Sequence, residues 1–377
     1  MVGLPGWFQA IQVMSIWPSV FLTTGTMIGV GLLAIPIMLG LAGFWPGLVA
    51  MVGVALLVWT SGFLLAERIM ALRRSDSDLA GFFEADLGKG VRRITVPGYL
   101  LLFYALQVAY LTGAAETLSG LIPLDIPKGV WMVVVFAFTA LLSMFGRAVL
   151  LRCNGGLVVA MMVAFAVMLA ASGGQAEAKN LEHRDWPMVF ISLPVLCCAF
   201  AYHNVIPLVC REHNWNRRAV HAALSIGLLL ALAMTALWFW VVVAVLPLTD
   251  DGGGISLVSA AHLGCPATVP LARFMDSALI TVSGLVFSLL AILTSYVGVG
   301  TALSSFLTEI APGRRAGWIF ALTFGPPLVM AFLYANLFVS MVEVAGGVGM
   351  MVLFGVLPTL AYMRRRARGR PWRMAGL

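Results

Sequence analysis

Long runs of apolar residues, separated by short polar segments, fill most of the chain. A helix that crosses a membrane needs about 20 mainly apolar residues, and only helices or closed barrels satisfy their backbone hydrogen bonds in hydrocarbon. The runs are too long and too uniformly apolar for barrel strands. The pattern therefore predicts an all-α, multi-span membrane protein with ten spans, at residues 16–40, 45–67, 97–121, 129–146, 154–172, 187–209, 219–247, 275–304, 316–334 and 336–363.

Span 1 carries residues that weaken a helix at mid-membrane. Gly25, Gly29 and Gly31 lie within seven residues of one another, and each glycine lowers helix stability by up to ~1 kcal/mol relative to alanine. Glycine also permits the close approach of another backbone. The helix is predicted to be interrupted here, and a tight packing face of small residues is the alternative.

Span 6 carries a second interruption. Its middle holds the polar residues Tyr202, His203 and Asn204, and Pro207 follows them. Proline removes a backbone donor and disfavours helix at the residue before it. Polar side chains facing lipid would be costly, so these three are expected to face a cavity or another helix.

The two interruptions occupy matching places if ten spans divide into two halves of five. Because five is odd, the halves have opposite orientations, a pattern typical of secondary transporters. We predict one transporter domain over residues 1–363, with inverted repeats at 16–172 and 187–363. A broken helix exposes N–H groups that attract a carboxylate and carbonyls that attract an ammonium group. A small amino-acid zwitterion is therefore the expected ligand.

Composition and charge narrow the class of protein. Hydrophobic residues make up 61% of the chain and charged residues only 10%, whereas about a quarter of an average soluble domain is charged. This excludes a soluble enzyme, a disordered chain and a secreted disulfide scaffold. With the N-terminus in the cytoplasm, 19 of the 23 Lys and Arg residues fall on the inner side, as the positive-inside rule requires. Both termini are predicted to be cytoplasmic, in a bacterial-type plasma (inner) membrane.

Residues 364–377 form a basic tail with six arginines. Clustered arginines beside a membrane span attract anionic lipid headgroups. We expect the tail to contact lipid, and no nucleic-acid partner is predicted from the net charge of +7.

Six ordered segments resemble the hydroxy/aromatic amino-acid permeases, the tryptophan and tyrosine proton symporters of the amino acid–polyamine–organocation superfamily. The segments are Gly25–Pro36, Asp86–Gly90, Ala109–Gly113, Phe200–Pro207, Thr294–Val299 and Thr323–Pro327. The resemblance implies a LeuT-type fold of 5+5 inverted repeats with discontinuous helices 1 and 6, and import of tryptophan or tyrosine by proton symport with alternating access. Two features depart from the family: such permeases usually have an eleventh span, and a small residue is usual where Glu343 stands.

The expected substrate site lies at the two interruptions. Backbone atoms of span 1 would hold the carboxylate and amine, span 6 would form the facing wall, and polar or aromatic residues of spans 3 and 8 would pack on the side chain. Core packing is the alternative role for each aromatic residue. These residues are Gly25, Thr26, Met27, Ile28 and Gly29; Phe200, Ala201, Tyr202, His203 and Asn204; and Gln107, Tyr110 and Tyr296.

Three ionisable residues inside the spans are candidates for proton coupling: Glu116, His203 and Glu343. Such a group couples transport to protons if it changes protonation during the cycle, whereas a structural hydrogen bond is the alternative for each. Sodium coupling is the rival hypothesis, because Thr294 and Ser295 could join span 1 carbonyls in an oxygen site, the kind that hard cations prefer. No cofactor or metal is expected.

Other classes fit the sequence less well. An intramembrane enzyme needs a positioned nucleophile and base or paired carboxylates, but the three ionisable residues are scattered singly. A channel usually shows repeated polar rings, which the sequence lacks. Another neutral amino-acid transporter, or an amino-acid sensor on the same fold, remains the alternative.

Overall fold

The computed structural model describes residues 15–72, 79–144, 147–249, 254–334 and 336–368, and the regular structure in these ranges is helical. Residues 1–14 of the predicted domain and the part of the predicted basic tail beyond residue 368 lie outside these ranges. The α-helices are α1 Trp17–Met27, α2 Val30–Gly40, α3 Phe44–Leu72, α4 Leu79–Leu87, α5 Arg92–Leu121, α6 Lys128–Met144, α7 Arg147–Gly173, α8 Met188–Ala199, α9 Ile206–Glu212, α10 Arg217–Val245, α11 Leu257–Leu263, α12 Thr268–Met275, α13 Ala278–Ile310, α14 Ala316–Leu333, α15 Phe338–Val344 and α16 Leu357–Ala367. Short 3₁₀ helices occupy Lys89–Val91, Ala178–Leu181 and His203–Val205, and a π-helix occupies Ala345–Val356.

Within the described ranges, seven helical segments, counted across their short interruptions, are long and apolar enough to cross a membrane. They are Phe44–Leu72, Lys89–Leu121, Met188–Glu212, Arg217–Val245, Ala278–Ile310, Ala316–Leu333 and Phe338–Ala367. The bent pair α1 and α2 would make an eighth span. Shorter apolar stretches at Lys128–Leu141 and Val159–Gly173 coincide with predicted spans 4 and 5. The count of ten spans stays a prediction.

Span 1 is broken where the glycines predict. Helix α1 ends at Met27, Ile28 is extended with φ −84° and ψ 91°, and α2 starts at Val30. The two helix axes differ by 51°. The break leaves the last carbonyls of α1 and the first N–H groups of α2 without the partners that a continuous helix would supply.

Span 6 is broken at the predicted polar residues. Helix α8 ends at Ala199, Phe200–Tyr202 are not helical, and the chain resumes through His203–Val205 into α9. Pro207 sits in the first turn of α9, where its missing N–H has no helical partner to lose.

The helices pack around the two breaks. Helix α1 lies on α10 and α2 lies on α8, while α13 contacts both α5 and α7. The π-helix of the last span packs on α8 and α5. One buried apolar cluster runs through all of these contacts, so the broken segments are held by the core of the protein.

Candidate functional site

The two breaks meet at one close backbone contact. A Cβ placed on Gly31 would lie 2.7 Å from Cβ and 2.8 Å from the backbone nitrogen of Ala199. Only glycine fits there, because a side chain at position 31 would overlap the end of α8. The contact places the N-terminus of α2 beside the C-terminus of α8. These ends carry opposite partial charges, which suits a ligand bearing a carboxylate and an ammonium group.

Gly29 brings spans 1, 3 and 8 together. A Cβ on Gly29 would lie 3.1 Å from Oγ of Ser295 and 3.8 Å from the hydroxyl of Tyr110. The Tyr110 hydroxyl and Ser295 Oγ thus face the same side of Gly29. Tyr110 and Tyr296 meet edge to face with ring centroids 6.3 Å apart. Four predicted site residues therefore form one cluster at the break of span 1.

Other predicted residues of spans 1 and 3 lie around this cluster. A Cβ on Gly25 would meet no atom within 4 Å, so there is open space beside it. Thr26 is half-buried and its hydroxyl donates to the carbonyl of Leu22. Met27 and Ile28 are buried. Gln107 donates through Nε2 to the carbonyl of Thr323 over 3.0 Å, and its buried Oε1 has no partner among the described residues.

The five predicted residues of span 6 differ in where their side chains lie. Phe200 and Ala201 are buried and Asn204 is exposed. The Tyr202 and His203 side chains are buried against other helices, and a Cβ on Gly62 of α3 would meet the Tyr202 ring. The backbone of this segment thus lines the break, but the Tyr202 and His203 side chains do not join the Tyr110 cluster.

His203 sits in a network that joins spans 2, 6 and 10. Its ring stacks on Phe354 at 4.7 Å and on Tyr202 at 5.3 Å. Its Nε2 lies 3.1 Å from Oγ of Ser61, and the Ser61 hydroxyl donates to the carbonyl of Phe354. A serine hydroxyl has one hydrogen, so His203 must donate Nε2–H to Ser61. This geometry fits a neutral ring that fixes span 6.

Glu116 is paired near the C-terminal end of α5. Its Oε1 lies 2.6 Å from Nζ of Lys128, which also contacts Oδ1 of Asn336 at 3.2 Å. The carboxylate side chain is 9% exposed. The Lys128 side chain is 39% exposed, so the pair is half-buried, and its contacts with α6 and Asn336 fit a pin between helices.

Glu343 faces a cavity of about 550 Å³. The cavity opens on the side opposite the arginines of α16, between the end of α2, the loop before α8, α11 and α15. Among the residues that the structure describes, Glu343 has no hydrogen-bond or ion-pair partner. Of the three predicted coupling residues, it is the one that faces this cavity without a fixed partner among the described residues.

The hydroxyls proposed for a cation site point in different directions. Ser295 lies against Gly29 at the break, whereas the Thr294 hydroxyl donates to the carbonyl of Leu290 in its own helix over 2.7 Å. Groups of three or more His, Cys, Asp or Glu side chains arranged to hold a metal ion do not occur in the described part of the chain.

The first helix of span 1, α1, is fastened by residues that sequence reasoning missed. Ser19 of α1 donates to Oε2 of Glu212 over 3.0 Å, and Nε2 of His213 lies 2.9 Å from the same hydroxyl. Thr24 donates to the carbonyl of Gly227 over 3.0 Å. No spacing rule reveals these contacts, because they join residues about two hundred positions apart.

Comparison with known proteins supports the same interpretation. Residues 12–376 match the tryptophan/tyrosine permease family. Tyrosine-specific transport system 1 of Haemophilus influenzae is 28% identical over 380 residues, which cover 95% of this chain and 90% of the relative. The tryptophan-specific transport protein of Shigella flexneri is 24% identical over 378 residues, with coverages of 94% and 87%.

A solved structure supports the fold. MhsT in complex with L-phenylalanine aligns with a TM-score of 0.63 and 17% identity, covering 95% of this chain and 94% of MhsT. MhsT is a LeuT-fold transporter, so the predicted fold class is confirmed. The sequence match, which spans nearly the whole chain, confirms the family expected from the six segments. The chain belongs to the tryptophan/tyrosine permease family, a family of membrane transport proteins.

Proposed function

We propose that this protein imports an aromatic amino acid, tryptophan or tyrosine, by proton symport with alternating access, and that it acts without a cofactor. The observation that carries the proposal is the Gly31–Ala199 contact, since it puts the N-terminus of α2 beside the C-terminus of α8. The open space at Gly25 and the Tyr110 cluster supply room and aromatic surface for a large side chain. The names of the relatives support the same substrate class.

The proposal also includes the side of the membrane on which the two chain termini lie. Arg365 of α16 lies 3.0 Å from Asp86, so the C-terminal end of the last span meets the loop between spans 2 and 3. Both segments are rich in basic residues, which favours the cytoplasmic side of a plasma membrane. We place both chain termini on that side.

Uptake by proteoliposomes tests the function. The purified full chain should accumulate labelled tryptophan or tyrosine when the outside is made acidic, and uptake should saturate. Accumulation that follows a sodium gradient and ignores the pH gradient would support a sodium site at Ser295 instead. Binding without uptake under either gradient would indicate a sensor.

Gly25→Leu tests the position of the site. The open space beside Gly25 should accept the side chain without unfolding the protein, but the ligand would lose that space. We expect affinity to fall by about 1–3 kcal/mol, or roughly fivefold to 150-fold, as for other overpacked sites. Equilibrium binding of labelled substrate measures this.

Gly53→Leu is the matched control, because Gly53 is exposed on α3 and also has no atom within 4 Å of a Cβ. It should leave affinity unchanged. Normal affinity in the Gly25 variant would place the substrate elsewhere.

Glu343→Gln tests the coupling residue. We propose that Glu343 takes up the proton, since it faces the cavity without a partner among the described residues. The neutral amide cannot titrate, so the ratio of uptake in acidic and alkaline outer buffer should fall to about one. Glu116→Gln and His203→Gln are expected to lower the amount of folded protein but to keep that ratio. The assignment is wrong if the Glu116 or the His203 variant takes up substrate equally in acidic and alkaline outer buffer while the Glu343 variant still depends on pH as the unmodified protein does.

A further inference from the structure

Three charged side chains join separate segments on the cytoplasmic side. Nε and Nη2 of Arg68, at the end of α3, lie 2.5 Å from the two carboxylate oxygens of Asp86 in α4. Nη1 of Arg365 in α16 lies 3.0 Å from the same carboxylate. Arg364 donates to the carbonyl of Leu87. This cluster of Arg68, Asp86 and Arg365, here called the Asp86 clamp, fixes the end of the last span beside the start of span 3.

The clamp leaves an excess of positive charge beside it. Residues 79–93 and 361–368 contain seven basic and two acidic residues. Asp86 is already shared by two arginines, and Glu84 lies 3.6 Å from Arg92. Six exposed basic residues surround the clamp and are here called the basic platform: Lys89, Arg92, Arg93, Arg364, Arg366 and Arg368. Within the described ranges, Lys89, Arg93, Arg366 and Arg368 have no acidic partner.

The start of span 3 adds to this positive potential. The 3₁₀ turn Lys89–Val91 and helix α5 have no acidic residue in their first turns and no side-chain cap. A helix N-terminus carries a partial positive charge, so basic residues there are unfavourable and an anion is favourable. The acidic side chains among the described residues therefore do not neutralise the positive charge of the platform, and a bound anion would be favourable there.

Exposed apolar side chains flank the platform. Ile94 follows Arg93 and is 57% exposed, and Met363 precedes Arg364 and is 59% exposed. Leu360, one turn further into the membrane, is 46% exposed. A soluble anion would gain nothing from these side chains, whereas a phospholipid offers an anionic headgroup and an acyl chain together.

We propose that the basic platform is a binding surface for anionic phospholipids of the inner leaflet. Their phosphates contact the platform, and their acyl chains lie against Ile94, Leu360 and Met363. The surface includes the loop between spans 2 and 3 and does not consist of the C-terminal tail alone. The inference is independent of the substrate and of proton coupling.

Thermal stability of the full chain in detergent, titrated with phosphatidylglycerol, tests the proposal without any transport assay. Phosphatidylcholine is the neutral lipid control. The double variant R93Q/R366Q removes two exposed platform charges, and R218Q/R315Q removes two exposed arginines from the inner ends of other helices. Each basic residue near a charged surface contributes roughly fivefold, so the apparent lipid affinity of R93Q/R366Q should fall by about tenfold or more. The control double variant should stay within about twofold of the unmodified protein.

Three outcomes would overturn the proposal. Equal losses in the two double variants would show a response to net charge alone. An unchanged affinity in R93Q/R366Q would show that the platform does not bind the lipid. Equal stabilisation of the unmodified protein by inorganic phosphate would show a site for soluble anions.

Discussion

The substitution Gly31→Ala is expected to abolish transport and to lower the free energy of unfolding by about 1–3 kcal/mol, as overpacking of a dense core does. The added Cβ would overlap backbone and side-chain atoms of Ala199. Backbone cannot rotate away as a flexible side chain can, so α2 and α8 would have to separate. Substrate uptake and thermal unfolding of the purified variant measure the two effects.

Gly53→Ala is the matched control for this variant. It adds the same methyl group to an exposed helical position with no atom within 4 Å of the Cβ, so uptake should stay near that of the unmodified protein and the free energy of unfolding should not fall, rising by up to ~1 kcal/mol. Full uptake by the Gly31 variant would mean that the two breaks need not touch for transport.

The substitution Asp86→Asn should be among the most destabilising changes at the end of the molecule where α3, α4 and α16 meet. The Asp86 side chain is 1% exposed and the Arg68 side chain is 8% exposed. Removing one partner of a buried ion pair leaves an uncompensated charge and lowers stability by about 3–5 kcal/mol. The amide keeps the size of the carboxylate, so chemical denaturation in detergent would report the loss of charge and not the loss of packing.

Glu84→Gln provides the comparison, because Glu84 sits on the same helix in a partly exposed pair with Arg92 at 3.6 Å. Exposed pairs contribute only about 0–1 kcal/mol. If Asp86→Asn and Glu84→Gln lower the free energy of unfolding equally, the loss of any acidic side chain from α4 has the same effect. The Asp86 clamp would then have no special role in stability.

Much of the fold follows from the sequence because membrane spans are set by length and apolar content. The spans predicted at 45–67 and 219–247 appear as Phe44–Leu72 and Arg217–Val245, and both breaks fall at the predicted residues. Local chemistry decides these features, since glycine and proline act on the backbone of their own segment. The π-helix of the last span was not predicted, because its apolar sequence reads as ordinary helix.

The candidate site was predicted less completely. Backbone positions at Gly25 and Gly29 follow from the same local chemistry. The direction of the His203 side chain does not, because it depends on Ser61 and Phe354, which are more than a hundred positions away. Lys128 likewise decides the environment of Glu116 from another helix. A single sequence contains no signal that pairs such residues.

The π-helix has a consequence for the last span as a whole. A run of twelve such residues is long, since most π-helices are single turns, and each turn contains more residues than a turn of α-helix. Glu343 precedes this run and the arginines of α16 follow it. Conversion of the run to ordinary α-helix would therefore twist the two ends of the span against each other, so that the Glu343 carboxyl and the arginines of α16 could not both keep their present directions.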